Sequence, residues 1–214
     1  MPAIVTAETS AARRAGILLL GLVLVAVGVA CTIQADLGVA PYDVLSTGIR
    51  DLFDIPIAAA AVILPTVFLA LGLALGGRIG PGSILAVALV GPMLGAALAV
   101  LPHVEALPPR IALFAVGFVV TTAGITAVVI PEIGPGPAEL VMLALHDRGH
   151  PLAPVRTGIE VTSVAVGWAM GGQVGVGTAV FAVLVGPALR RTLELAGYES
   201  SAAAAASDLA APGA

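Results

Sequence analysis

Long apolar runs divide this chain, with polar residues and Gly/Pro clusters confined to the gaps between them. Six runs fall at 15–34, 55–75, 83–101, 111–130, 155–170 and 174–189. Each approaches the roughly 20 residues that a helix needs, at about 1.5 Å per residue, to cross the hydrocarbon core of a bilayer. The last two are short. Arg190 and Arg191 follow the sixth run, where their head groups can snorkel toward water, and Trp168 stands near the far end of the fifth as an aromatic anchor. The pattern predicts an all-α integral membrane protein of about six transmembrane helices.

Composition agrees. Hydrophobic residues make up 59% of the 214 and charged residues 10%, with a mean hydropathy of +1.10. An ordinary soluble domain carries about 25% charged residues, so this chain cannot cover a water-facing surface. Its length leaves no room for a separate soluble domain. The one cysteine, Cys31, lies inside the first run and reads as a small buried hydrophobe. Arg13-Arg14 followed by an apolar run imitates a secretion signal. The run is longer than a usual signal core and more spans follow, so it reads as an uncleaved first helix. The alanine-rich residues 197–214 read as a disordered tail, and 1–14 as a cytoplasmic segment.

The nine arginines, with no lysine beside them, set the orientation. With the N-terminus in the cytoplasm, Arg13, Arg14, Arg78, Arg148, Arg156, Arg190 and Arg191 fall inside, and Arg50 and Arg110 outside. That positive-inside bias places both termini in the cytoplasm.

The two halves of the chain match. Residues 76–92 read GGRIGPGSILAVALVGP and 171–187 read GGQVGVGTAVFAVLVGP, identical at eight of seventeen positions at an offset of 95. Five glycines and a proline in register are hard to obtain from apolar composition alone. Upstream, Gly38, Pro41 and Asp43 answer Gly134, Pro137 and Glu139 at an offset of 96, so one residue is gained or lost between the landmarks. Each unit, 15–101 and 110–196, is a span, a Gly/Pro turn with a short acidic segment, a second span, a glycine-rich hairpin and a third span. Three spans per unit is an odd number, which makes the copies antiparallel, an arrangement secondary transporters use to alternate access to a central site. The short segments 41–52 and 137–150 read as interfacial or re-entrant helices.

Several motifs carry candidate chemistry. Pro41 and Pro137 suit the first helical turn. Asp43 and Glu139, two places later, either complement the helix dipole or line a polar cavity between the repeats, where they would bind a cation or proton. Gly91-Pro92 and Gly186-Pro187 lie inside the third spans, where proline kinks or breaks a helix; such a site is either a packing kink or a hinge. The hairpin glycines Gly171, Gly172, Gly175 and Gly177 allow tight turns and close helix approach, and Thr178 keeps the hydroxyl that Ser83 carries in the first half. They lack the lysine of a phosphate-binding loop. Arg156 and Glu160, four apart on one helix face, form either a structural clasp or a substrate or gating site; Ala and Pro stand near the matching positions of the first unit. His146 and His150 have helix-like metal-ligand spacing, but Gly149 and Pro151 interrupt a helix there and no third ligand is evident. No cofactor, metal or nucleic-acid site is expected, and no nucleophile, base and orienting group combine into an enzyme site.

Three stretches, LGVAPYDVLSTGI, IGPGPAELVMLAL and VRTGIEVTSVAVGWAMGGQVGVGTAVFAVLVGP, together resemble the YczE/YyaS/YitT group of small bacterial multi-pass membrane proteins, the YczE branch most closely. The resemblance covers about residues 15–195. Tyr42 departs from the tryptophan expected there, an aromatic exchange. The resemblance implies a transporter-like inner-membrane protein rather than a known reaction. The expected function is a small-solute transporter or exporter with candidate pathway residues Tyr42, Asp43, Glu139, Arg156, Glu160 and Thr178, whose partners are the lipid bilayer and an unknown small solute. A non-transporting accessory or scaffold protein is the alternative, and a homo-oligomer or a membrane partner is compatible with either.

Overall fold

The computed structural model describes residues 10–102 and 104–198, so most of the expected disordered tail lies outside the described residues. Eight helices follow in order: α1 (Ala11–Ala35), α2 (Pro41–Phe53), α3 (Ile57–Ala74), α4 (Pro81–Val100), α5 (Leu107–Val129), α6 (Pro137–His146), α7 (Leu152–Ala169) and α8 (Val176–Leu195). Among the described residues there is no strand. Five helices, α1, α3, α4, α5 and α8, are long and apolar enough to cross a membrane. α7 matches α3 in length at 18 residues, but Arg156 and Glu160 make it less apolar, so the expected fifth span, 155–170, stands apart from the other five in composition. Apolar side chains cover the outer surface, Val119, Val183 and Trp168 being each more than 60% exposed, as a lipid-facing surface requires.

Local sequence sets the helix starts. Pro41 and Pro137 occupy the first turns of α2 and α6, with Asp43 and Glu139 in the same turns. α8 extends beyond its apolar run because Arg190 and Arg191 both reach Glu194, at 2.9 and 3.7 Å.

The helices match across the halves in length as well as in sequence. α3 and α7 both have 18 residues and α4 and α8 both have 20, each pair starting 95 residues apart. α2 and α6 start 96 apart, so the extra residue of the first half lies between the starts of α2 and α3.

α1 and α5 form the central seam and run in opposite directions. Gly21 packs on Val128, Gly28 on Thr121, Gly124 on Val25 and Gly117 on Thr32. A Cβ at Gly28 would overlap the backbone of α5 at Thr121, and one at Gly124 would lie 2.6 Å from the Val25 nitrogen. Small residues thus bring two backbones together, as in membrane bundles generally.

Contacts at the two ends of the molecule repeat. At one end Gly82 N–H donates to the Ile133 carbonyl at 3.2 Å; at the other Gly177 N–H donates to the Leu37 carbonyl at 2.7 Å. Arg14 Nε donates to Pro131 O at 2.9 Å, and Arg110 Nε to Ala35 O at 2.7 Å. Arg110 satisfies the last carbonyl of α1, which a helix leaves unpaired, and Arg14 binds a carbonyl of the turn that follows α5. The short helices cross between halves: Leu140 of α6 packs on Gly72 and Gly77 beside α3, and Val44 of α2 on Gly167 and Gly172 beside α7.

At Gly91-Pro92 and Gly186-Pro187, where a kink or a break is expected, there is no break: α4 and α8 run continuously through both prolines, as α3 does through Pro65. Each proline removes one donor, and the helical turns on either side hold. Gly91 serves close packing, since a Cβ there would lie 2.6 Å from the Ala58 carbonyl, whereas Gly186 faces open space.

Candidate functional site

A cavity of about 710 Å³ lies between the halves. α1 contributes Leu22, Val25, Val29 and Ile33, which recur at helical spacing along one face. α5 contributes Thr121, Ile125, Val128 and Val129, and the N-termini of α2 and α6 enter with Tyr42, Asp43 and Glu139. Most of the lining falls into pairs related by the sequence match: Val25 with Thr121, Asp43 with Glu139, Ala61 with Arg156, Pro65 with Glu160, Ala86 with Phe181 and Val90 with Val185.

Five of the six candidate pathway residues, Tyr42, Asp43, Glu139, Arg156 and Glu160, meet at this cavity. The sixth does not. Thr178 is buried at the start of α8, where its Oγ1 accepts from Gly175 N–H at 3.2 Å; Ser83 Oγ accepts from Gly80 N–H at 3.3 Å in the same way. Thr178 is a helix cap, and its hydroxyl is occupied by that cap. The hairpin glycines also lie away from the cavity. Gly171 takes a φ of +92°, as its counterpart Gly76 takes +81°, and Gly172, Gly175 and Gly177 allow the hairpin to dock on Val44, Leu37 and Gly38. His146 and His150 close a turn of their own at 3.0 Å, exposed.

Ser46, Thr121, Glu132, Ser163 and Tyr198 complete the polar side-chain lining and were not singled out by pattern. Glu132 had a usable signal, since it answers Asp36 at the offset of 96 and both residues take positive φ, 50° and 48°.

Four carboxylates, Asp43, Glu132, Glu139 and Glu160, face one guanidinium, Arg156, across the cavity. Arg156 Nε pairs with Glu160 Oε1 at 3.1 Å on the same helix. Tyr198 donates its hydroxyl to Glu132 Oε1 at 2.6 Å; burial, and then this bond, hold the phenol at about 12. Glu139 turns its carboxylate back over Gly136 at the start of α6, where the helix dipole favours it. Asp43, on the non-spanning α2, is half-buried against the cavity, and burial pushes its carboxyl up to about 7. Neither Asp43 nor Glu139 has an ion-pair partner among the described residues. The Tyr42 hydroxyl is also buried without a partner, stands in the field of both carboxylates, and packs edge-on against Phe68 at 5.4 Å. The site is a largely apolar chamber whose wall carries four carboxylates and one guanidinium.

Residues 12–193 match a family described as "Family of unknown function (DUF6198)". The chain is similar to the "Uncharacterized membrane protein YczE" of Bacillus subtilis, at 30% identity over 177 residues, which are 81% of this chain and 82% of that protein. It is also similar to an uncharacterized protein of Haemophilus influenzae, at 26% identity over 188 residues, covering 87% and 86% of the two chains. No solved structure matches it.

Proposed function

This chain is a membrane protein of the DUF6198 family, and we propose that it is a small-solute transporter or exporter whose site lies between two inverted repeats. The observation that carries the reading is the cavity itself, lined by equivalent positions of both halves and by carboxylates at the same place in each, Asp43 and Glu139. A site on the pseudo-twofold axis between antiparallel halves has the geometry on which alternating access operates, because either half can rock against the other around it.

Three features support the inverted arrangement. α1 and α5 are antiparallel, and their contacts exchange under the offset: Gly21 on Val128 becomes Gly117 on Thr32. The end-loop hydrogen bonds exchange in the same way. Taking α7 as the sixth span puts both termini on one side. That side also receives the α3–α4 hairpin and seven of the nine arginines, a bias that supports a cytoplasmic location for it.

Purified protein in liposomes, screened for proton-coupled or counter-flow uptake across a solute panel, tests the proposal. Transport is expected, with Asp43→Asn and Glu160→Gln each lowering the flux at least tenfold. Unchanged flux in both variants refutes the site, whereas no flux with any solute, together with a co-purifying membrane partner, favours a scaffold.

A further inference from the structure

From the chemistry of the cavity we propose that its substrate is an amphipathic organic cation, an amine or onium group on an apolar body, held by Asp43 and Glu139 and released by protonation. The inference rests on the transporter reading and names the substrate of the same site.

Charge comes first. The formal charges facing the cavity sum to four carboxylates against one guanidinium, and the guanidinium is already paired with Glu160. Glu132 receives the Tyr198 hydroxyl. Asp43 and Glu139 have no counter-charge among the described residues; Asp43 is the half-buried one, against apolar walls where an unpaired carboxylate is costly and acquires a proton or a partner, and Glu139 stands more exposed at the same cavity. A cationic ligand supplies that partner, while an anionic one meets repulsion from every side but Arg156.

Shape comes second. No group of three ligating side chains converges on one point among the described residues. The carboxylates are spread over α2, α6, α7 and the turn after α5, which suits a ligand that is itself spread out. The walls between them are aliphatic, and the volume of about 710 Å³ lies in the range of cavities that enclose drug-sized molecules. The aromatic ring of Tyr42 adds a face for a cation, and its buried hydroxyl is a polar group that no described residue satisfies.

Proton release follows from the neighbours. The titratable and charged groups facing Asp43 across the cavity are Tyr42, Glu139, Arg156, Glu160, Glu132 and Tyr198. A carboxyl that titrates near neutral pH binds a proton or a cation, not both, so cation affinity rises with pH and one species displaces the other.

The test uses full-length protein in detergent with two probes of one shape and opposite charge, tetraphenylphosphonium and tetraphenylborate, in equilibrium dialysis. Tetraphenylphosphonium is expected to bind saturably and at least tenfold more tightly at pH 8.5 than at pH 5.5, and tetraphenylborate at least a hundredfold more weakly. Asp43→Asn should remove the pH dependence, and Glu139→Gln should weaken binding at least tenfold. In the unsubstituted protein, tetraphenylphosphonium should protect Asp43 from carbodiimide labelling read by mass spectrometry, which keeps the test decisive if a variant misfolds. Equal binding of the two probes, no saturable binding of the cation, or labelling of Asp43 unaffected by it overturns the inference. Cation binding without liposome counter-flow defeats the transporter reading alone; counter-flow of neutral or anionic solutes without cation binding defeats the substrate class alone.

Discussion

A guanidinium laid across the last carbonyls of a neighbouring helix satisfies acceptors that the helix leaves open, and a charged donor to such a carbonyl is worth about 1.5–3 kcal/mol. Arg110 does this for α1, reaching Ala35 O and Asp36, and Arg14 binds the turn that follows α5, reaching Pro131 O and Glu132 O. Arg110→Gln and Arg14→Gln should therefore each destabilise the protein by a similar amount, within about 1.5–3 kcal/mol, measured by thermal unfolding in one detergent. A third residue is open to titration. Tyr198 keeps its proton to about 12 against an ordinary value of about 10. Glu132→Gln should lower its ionisation only part of the way in ultraviolet absorbance, since burial, the larger cause, stays while the carboxylate that disfavours phenolate is removed. Arg14 and Arg110 are an identical pair at the offset of 96, yet read along the chain they are only markers of orientation. Their partners are backbone carbonyls, which no side-chain pattern displays. Thr178 went the other way: its hydroxyl looked like site chemistry and is taken up by a helix cap.

Helices were the most legible level, because a bilayer imposes a length that apolar runs must meet. Their ends were less so. α8 continues past Leu189 through ion pairs with Glu194, a device the hydropathy pattern passes over. The glycines of the spans divide into two kinds that sequence shows alike. Gly28 and Gly124 let α1 and α5 touch, whereas Gly16, Gly158 and Gly186 meet nothing within 4 Å. Gly28→Val should cost more than about 3 kcal/mol, since overpacking alone costs about 1–3 and here the clash is with backbone. Gly158→Ala should stabilise α7 by about 0.5–1 kcal/mol through helix propensity. Gly186→Ala should be equally benign for folding, so a fall in flux without a fall in melting temperature would identify Gly186 as a hinge, and unchanged flux would leave it a surface position.

At the scale of the molecule the halves are alike in frame and unlike in chemistry. Ala61 and Pro65 stand where Arg156 and Glu160 stand in the other half, and Tyr42 answers Ala138. The repeat was legible because glycine and proline positions are fixed by backbone geometry and survive change around them. The convergence of Asp43, Glu139, Arg156 and Glu160 was legible only as a list of candidates, since their meeting depends on how the halves pack. The chamber is matched in outline while four of its five charged groups, Glu132, Glu139, Arg156 and Glu160, come from the second half, so Arg156→Ala should alter affinity for a charged solute more than Ala61→Arg restores it, as measured by dialysis of the double variant.

The α1–α5 seam has one more implication. Each of its contacts reads the same from either direction, and the halves are otherwise joined covalently only through the short stretch between α4 and α5. A seam of that kind is self-complementary, so the link should be dispensable once both halves are in the membrane. Co-expressed as two polypeptides severed between Val104 and Glu105, the fragments should be recovered together by a tag on one of them, whereas rapid loss of either fragment would show that the halves need to be born joined.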